Sequence, residues 1–190
     1  MGSSYSPIPA SYNLINSSTN FNGKNSFDIQ GTFSTLSTVP FSACTISMLI
    51  YGKDIPGGGI NNPYTILFGN GGTWYVSAAI VYADHKIRLP QPSAASTYQH
   101  VANTLVHYVF VRNGTSSKLF VNGVNVLSLT NAAILNSNSN SSPFTFFGEA
   151  SNGQWAFKGE FGNIKFWDSA LTDLQCSLIY TQEKSNWAIP

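Results

Sequence analysis

Short apolar runs recur along the chain from Phe21 onward, separated by clusters of Gly, Asn, Pro and Ser. They predict strands over 26–29, 45–51, 64–68, 74–80, 86–89, 105–112, 118–121, 124–129, 144–147 and 161–167. Many short strands with turn residues between them predict an antiparallel sandwich or barrel. The stretch 105–129 carries the clearest pattern. Tyr108 and Phe110 fall on one side of their strand, and Val109 and Val111 on the other. Both sets are apolar, so this strand is expected to be central and covered on both faces. Asn122-Gly123 sits between alternating apolar residues. It predicts a two-residue hairpin turn, because both turn positions need φ > 0.

Residues 1–20 are polar and contain Pro7 and Pro9, which predicts an extended arm that Leu14 and Ile15 pin to the body. The glycine-rich segment 54–63 and the Asn/Ser tract 135–142 read as exposed loops. One helix is expected. Thr172 and Gln175 have capping-box spacing, and Leu171 and Cys176 occupy the positions of a hydrophobic staple. Leu174 and Leu178 then share a face. This helix should be short, close to the C-terminus and packed on the edge of the sandwich. Residues 181–190 are left as a tail.

Composition narrows the function. The 190 residues carry nine Lys and Arg against eight Asp and Glu, a formal charge of +1, and only 9% are charged. Such a surface has no broad attraction for phosphate backbones, which argues against nucleic-acid binding. No apolar run reaches the roughly 20 residues needed to cross a bilayer, so no transmembrane segment is expected. Met1 to Ala10 lacks a basic start followed by an apolar core, so no signal peptide is visible. Cys44 and Cys176 are too few for a disulfide framework and stand either as two thiols or as one bridge.

Several segments, in order, resemble the laminin-G-like group of concanavalin A-like jelly rolls. Phe21-Asn22-Gly23-Lys24-Asn25-Ser26-Phe27-Asp28-Ile29 is similar to the family's opening segment. Thr45-Ile46-Ser47-Met48-Leu49-Ile50 is similar to its T-I-S-x-W strand, with Leu49 where Trp is usual. His107 to Gly114 and Lys118-Leu119-Phe120-Val121-Asn122-Gly123 resemble its central hairpin, with Val106 in place of a Trp. Phe157 to Asp173, followed by Gln175 and Cys176, resembles its closing segment. The resemblance spans residues 21–180. It implies an all-β, antiparallel two-sheet β-sandwich (a concanavalin A-like jelly roll) with one short C-terminal helix.

Chemistry is sparse. Glycoside hydrolysis needs two carboxyl groups ~5–10 Å apart. The E-x-D-x-x-E pattern of related jelly-roll glucanases is missing, so an enzyme is not expected. Calcium is implied by the resemblance, through oxygen ligands around Asp84; otherwise no cofactor is expected. Sugar recognition needs an aromatic platform and polar side chains for hydroxyls. Trp155, Asn152, Gln154, Tyr98 and His100 are the candidate contacts; Trp155 either stands at an exposed turn or folds over the sandwich edge with Phe157. His107, on the central strand, reads as a hydrogen-bonded structural histidine. Met1-Gly2-Ser3-Ser4-Tyr5-Ser6 matches the N-myristoylation pattern, with Gly2 as acceptor. The expected function is a non-catalytic recognition module that binds glycans or a protein surface through rim loops. The rival is a structural virion component, a minor capsid or fibre protein made inside the cell, whose arm and tail meet neighbouring subunits of a particle.

Overall fold

The computed structural model describes residues 12–15, 19–22, 27–28, 43–54, 64–70, 73–81, 85–90, 93–130, 144–146, 158–187 and 189. Its strands in chain order are β1 (Tyr12–Ile15), β2 (Thr19–Asn22), β3 (Phe27–Asp28), β4 (Ala43–Asp54), β5 (Tyr64–Asn70), β6 (Thr73–Val81) and β7 (Lys86–Pro90). There follow β8 (Ser93–Gln99), β9 (Leu105–Asn113), β10 (Ser116–Val121), β11 (Val124–Thr130), β12 (Phe144–Phe146), β13 (Lys158–Trp167) and the helix α1 (Asp173–Trp187). They form two antiparallel sheets. One has the order β1-β13-β4-β9-β10-β11, with β2 also on β13; the other has the order β3-β12-β5-β6-β7-β8. The chain is therefore the expected β-sandwich.

Alternation along the strands builds the core. In the first sheet, Ile46, Met48 and Ile50 of β4, Tyr108 and Phe110 of β9, and Ile164 and Phe166 of β13 are buried on the face turned to the second sheet. The second sheet answers with Leu67, Ile87 and Leu89. The opposite face of the first sheet is apolar too. There Val109, Val111, Phe120 and Trp167 pack with Leu171, Cys176 and Ile179 around α1. Expectation and structure differ here: the helix lies across the outer face of the sheet rather than on an edge. The reason is the second apolar set of β9, which would otherwise leave a contiguous apolar patch in water.

Local signals hold. Asn122 and Gly123 have φ of +47° and +78°, as the hairpin requires. The Thr172 amide donates to Gln175 Oε1 and the Gln175 amide to Thr172 Oγ1, at 2.9 and 3.3 Å, which closes the capping box. Leu171 and Cys176 are both buried beside it. Both cysteines are free and buried, so no bridge forms.

Three boundaries move. Within the expected arm, β1 and β2 pair with successive halves of β13. Edge pairing orders them, because β13 offers an open ladder that a polar strand completes without needing a core face. Nothing in the sequence pattern predicts β8, since Ser-Ala-Ala-Ser has no apolar alternation to reveal it. The expected tail begins inside α1, which runs on to Trp187. Ile189 beyond it is buried.

Candidate rim site

Antiparallel connectivity gathers six connections at one end of the sandwich, four of which cross between the sheets. Strands β2, β4, β6, β8, β10 and β12 all leave the sheets at this end, and β5, β7, β9, β11 and β13 enter from it. The end is stitched across the two sheets. The Asn103 amide donates to the Gly52 carbonyl at 2.6 Å, and the His100 amide to the His85 carbonyl at 2.8 Å. His85 is exposed and has φ of +54°.

Tyr98 and His100 meet here with Tyr108 of β9, which its strand pattern marks as a core residue rather than a contact. Alternation along β8 turns Ser96, Tyr98 and His100 to the same side. His100 Nδ1 lies 2.6 Å from the Tyr108 hydroxyl. The two rings stack with centroids 6.1 Å apart. Tyr98 meets Tyr108 edge to face, with ring centroids 6.2 Å apart. The result is a cluster of three rings, His100, Tyr108 and Tyr98, running from the core to the half-buried Tyr98. Burial, aided by His85, brings the His100 imidazole down to about 4, so it is neutral near pH 7. Burial raises Tyr98 and Tyr108 above the usual phenol range, so both keep their protons. Apolar alternation marks Tyr108 only as a core residue; its hydroxyl gains a role from β8, a non-neighbouring strand.

His100, a candidate contact by residue type, is buried, because its ring fills the gap between the end of β8 and Tyr108. It stands behind Tyr98. Trp155, Asn152, Gln154, Asp84 and Gly2 lie outside the described residues. The ends that bracket 147–157, Phe146 of β12 and Lys158 of β13, belong to the rim end. Those that bracket 82–84, Val81 of β6 and His85, do so as well. Among the described residues, no three His, Cys, Asp or Glu side chains stand together as a metal site.

A second polar cluster lies under α1. His107 Nε2 is 2.8 Å from Ser47 Oγ, and its ring stacks on Tyr180. Lys165 Nζ donates to Glu183 Oε1 at 2.6 Å, and Asn163 donates to Glu183 Oε2 at 3.0 Å. Burial, with Lys165 adding to it, brings His107 down to about 3. The pair Ser47–His107 has no path to a substrate, since both side chains are fully covered. Glu183 is buried and paired, so it is spoken for as a structural anion rather than a general acid or base. His107 is thus the structural, hydrogen-bonded histidine that its strand position predicts.

Comparison with known proteins places this architecture. The family model Laminin_G_3, described as concanavalin A-like lectin/glucanases superfamily, matches residues 25–177. No curated protein sequence matches the chain. Among solved structures, the chain is similar to domain 4 of an extracellular arabinanase from Geobacillus stearothermophilus, solved in complex with arabinotriose. The identity is 15% and the TM-score 0.64, over 91% of this chain and 82% of that one. It is also similar to the CBM40 of a Ruminococcus gnavus IT-sialidase bound to α2,3-sialyllactose, with 13% identity and a TM-score of 0.67 over 88% and 98% of the two chains. With NanB sialidase of Streptococcus pneumoniae the identity is 19% and the TM-score 0.63, over 86% of this chain but 27% of that enzyme. At these identities the likeness is one of fold.

Proposed function

We propose that the chain, which belongs to the concanavalin A-like lectin/glucanases superfamily, is a non-catalytic recognition module that binds glycans through the loops at its rim. One observation carries this reading. The chain superposes, over 88% of its length, on 98% of a sialidase CBM40 domain bound to α2,3-sialyllactose, which supports a binding module. The half-buried phenol of Tyr98 supports it, as a group suited to sugar hydroxyls. Tyr98 is the described contact; Trp155, Asn152 and Gln154 complete the proposed set, with Trp155 as the stacking platform. Calcium at Asp84 enters as one arm of the test.

The rival, a particle subunit, needs an arm that is ordered only beside a neighbour. The pairing of β1 and β2 with β13 of the same chain weighs against that. A glycan array probed with wild type and Trp155→Ala, with and without EDTA, tests the proposal. Binding to defined glycans, lost in Trp155→Ala, is expected. Absence of binding to every glycan, with or without calcium, overturns it.

A further inference from the structure

The ladder between β7 and β8 breaks its register beside the rim. Lys86 stands opposite Gln99, and Arg88 opposite Ala95. Ile87 alone therefore faces three residues, Ser96, Thr97 and Tyr98. A regular antiparallel pair sets one residue against one, so β8 carries two extra residues at this point, a bulge. Ser96 closes it. Its Oγ accepts from the Ile87 amide at 3.2 Å and donates to the Tyr98 carbonyl at 2.7 Å. One buried hydroxyl thus satisfies a donor of β7 and an acceptor of β8, in place of the missing ladder bonds.

The bulged residues reach across to the first sheet. Thr97 Oγ1 donates to the Val126 carbonyl of β11 at 3.3 Å, which ties together the edge strands of the two sheets. Tyr98 sets its ring edge to face on Tyr108 of β9. Bulges bend a strand and re-aim its side chains, and they concentrate beside functional sites. The consequence of losing this one follows from strand geometry. Without Ser96 Oγ the buried Ile87 amide has no acceptor, a costly state that a regular ladder relieves by giving it a β8 carbonyl. Each residue of slippage moves the strand by about 3.3 Å, so absorbing both extra residues carries Tyr98 about 7 Å along β8.

We infer that the bulge of β8 sets Tyr98 at the rim for its ligand, and that Ser96, which closes the bulge, is a positioning residue for glycan binding. The inference rests on the reading of Tyr98 as a glycan contact and adds the residue that holds it there. Ser96 is itself covered, so it acts through Tyr98 rather than on the ligand.

A mutant cycle on a glycan array tests it. The array carries neutral and sialylated oligosaccharides, arabinotriose and α2,3-sialyllactose among them, and is probed at graded protein concentrations, which gives an affinity for every glycan bound. Tyr98→Ala should weaken binding about 10-fold or more, as truncation of an aromatic contact does. Ser96→Ala should weaken it about 3- to 10-fold, because the apparent affinity falls with the fraction of molecules that keep Tyr98 in place. The double variant should bind no more weakly than Tyr98→Ala alone, since Ser96 has nothing left to position. Ser96→Thr, which keeps the hydroxyl, should recover most of the loss. A residue that served stability alone would leave the affinity of the folded protein where it was. Circular dichroism checks the fold of each variant. Ser96→Cys, close in volume but a weak hydrogen-bonding group, takes the place of Ser96→Ala if the alanine variant does not fold. Unchanged affinity in the folded Ser96 variant, or losses that add in the double variant, overturns the inference and leaves glycan recognition standing. Unchanged affinity in a folded Tyr98→Ala does the same. Absence of wild-type binding to every glycan overturns both the inference and the reading beneath it.

Discussion

Acidification should unfold this protein through two histidines that the fold keeps neutral. His100 and His107 lie on opposite faces of the first sheet, one against Tyr98, Tyr108 and His85, the other against Ser47, Tyr180 and the Lys165–Glu183 pair. Burial, first, and a neighbouring base, second, lower them to about 4 and about 3. In the unfolded chain an imidazole titrates near 6.5. The unfolded state therefore binds more protons below pH 6.5, and stability falls as pH falls. Their contribution is intact above about pH 6.5 and is lost progressively as pH drops towards the folded values. By linkage, each histidine destabilises the fold by about 2 kcal/mol at pH about 5, or about 4 kcal/mol together. That is a large share of the roughly 5–15 kcal/mol that holds a domain folded. Urea denaturation at pH about 7.5 and about 5 reads the effect above the range in which ordinary carboxylates titrate. His100→Gln and His107→Gln should each remove about half of the pH dependence, whatever they do to stability at neutral pH. Equal stability of the wild type at the two pH values would refute the reasoning. So would an undiminished pH dependence in the folded double variant.

Two further outcomes follow from packing. A methyl added at Gly123 would stand 2.7 Å from Tyr180 Cδ1, at φ of +78°, whereas one added at Gly114, at φ of +57°, meets open space. Gly123→Ala should cost about 2–4 kcal/mol and Gly114→Ala about 1 kcal/mol; equal shifts in thermal midpoint would contradict the docking of α1 on the hairpin. Burial pushes the thiols of Cys44 and Cys176 up to about 12. Both should resist a disulfide reagent at pH about 8 until denaturant is added, and rapid labelling of the native protein would count against their burial.

Much of the frame was legible because it rests on local rules. Asn122-Gly123 specifies its turn by backbone conformation alone, and Thr172 with Gln175 specifies a helix start by side chains three residues apart. The two apolar sides of β9 foretold cover on both faces, although not what the second cover was. The helix disguised itself by burying Gln175 and Glu183, so that no clean apolar stripe shows in the sequence. The sheet beneath answers with Thr45, which accepts from the Leu171 amide, and with Lys165. Each of these polar groups is tolerable only once its distant partner is in place.

The candidate site divides in the same way. Residue type alone made Tyr98 and His100 candidates for contact. Their order in depth, with His100 inside and Tyr98 at the rim, depends on Tyr108 arriving from the other sheet. Sequence by itself determined the strands that alternate, the turn, the helix start and the family likeness, because these depend on neighbours a few residues apart. Only the tertiary structure decided that β1, β2 and β8 are strands, that α1 roofs the first sheet, and that a histidine and two tyrosines pack into one cluster at the rim. Pairing across long loops supplies those hydrogen bonds and that burial, and no local pattern encodes a partner so far away.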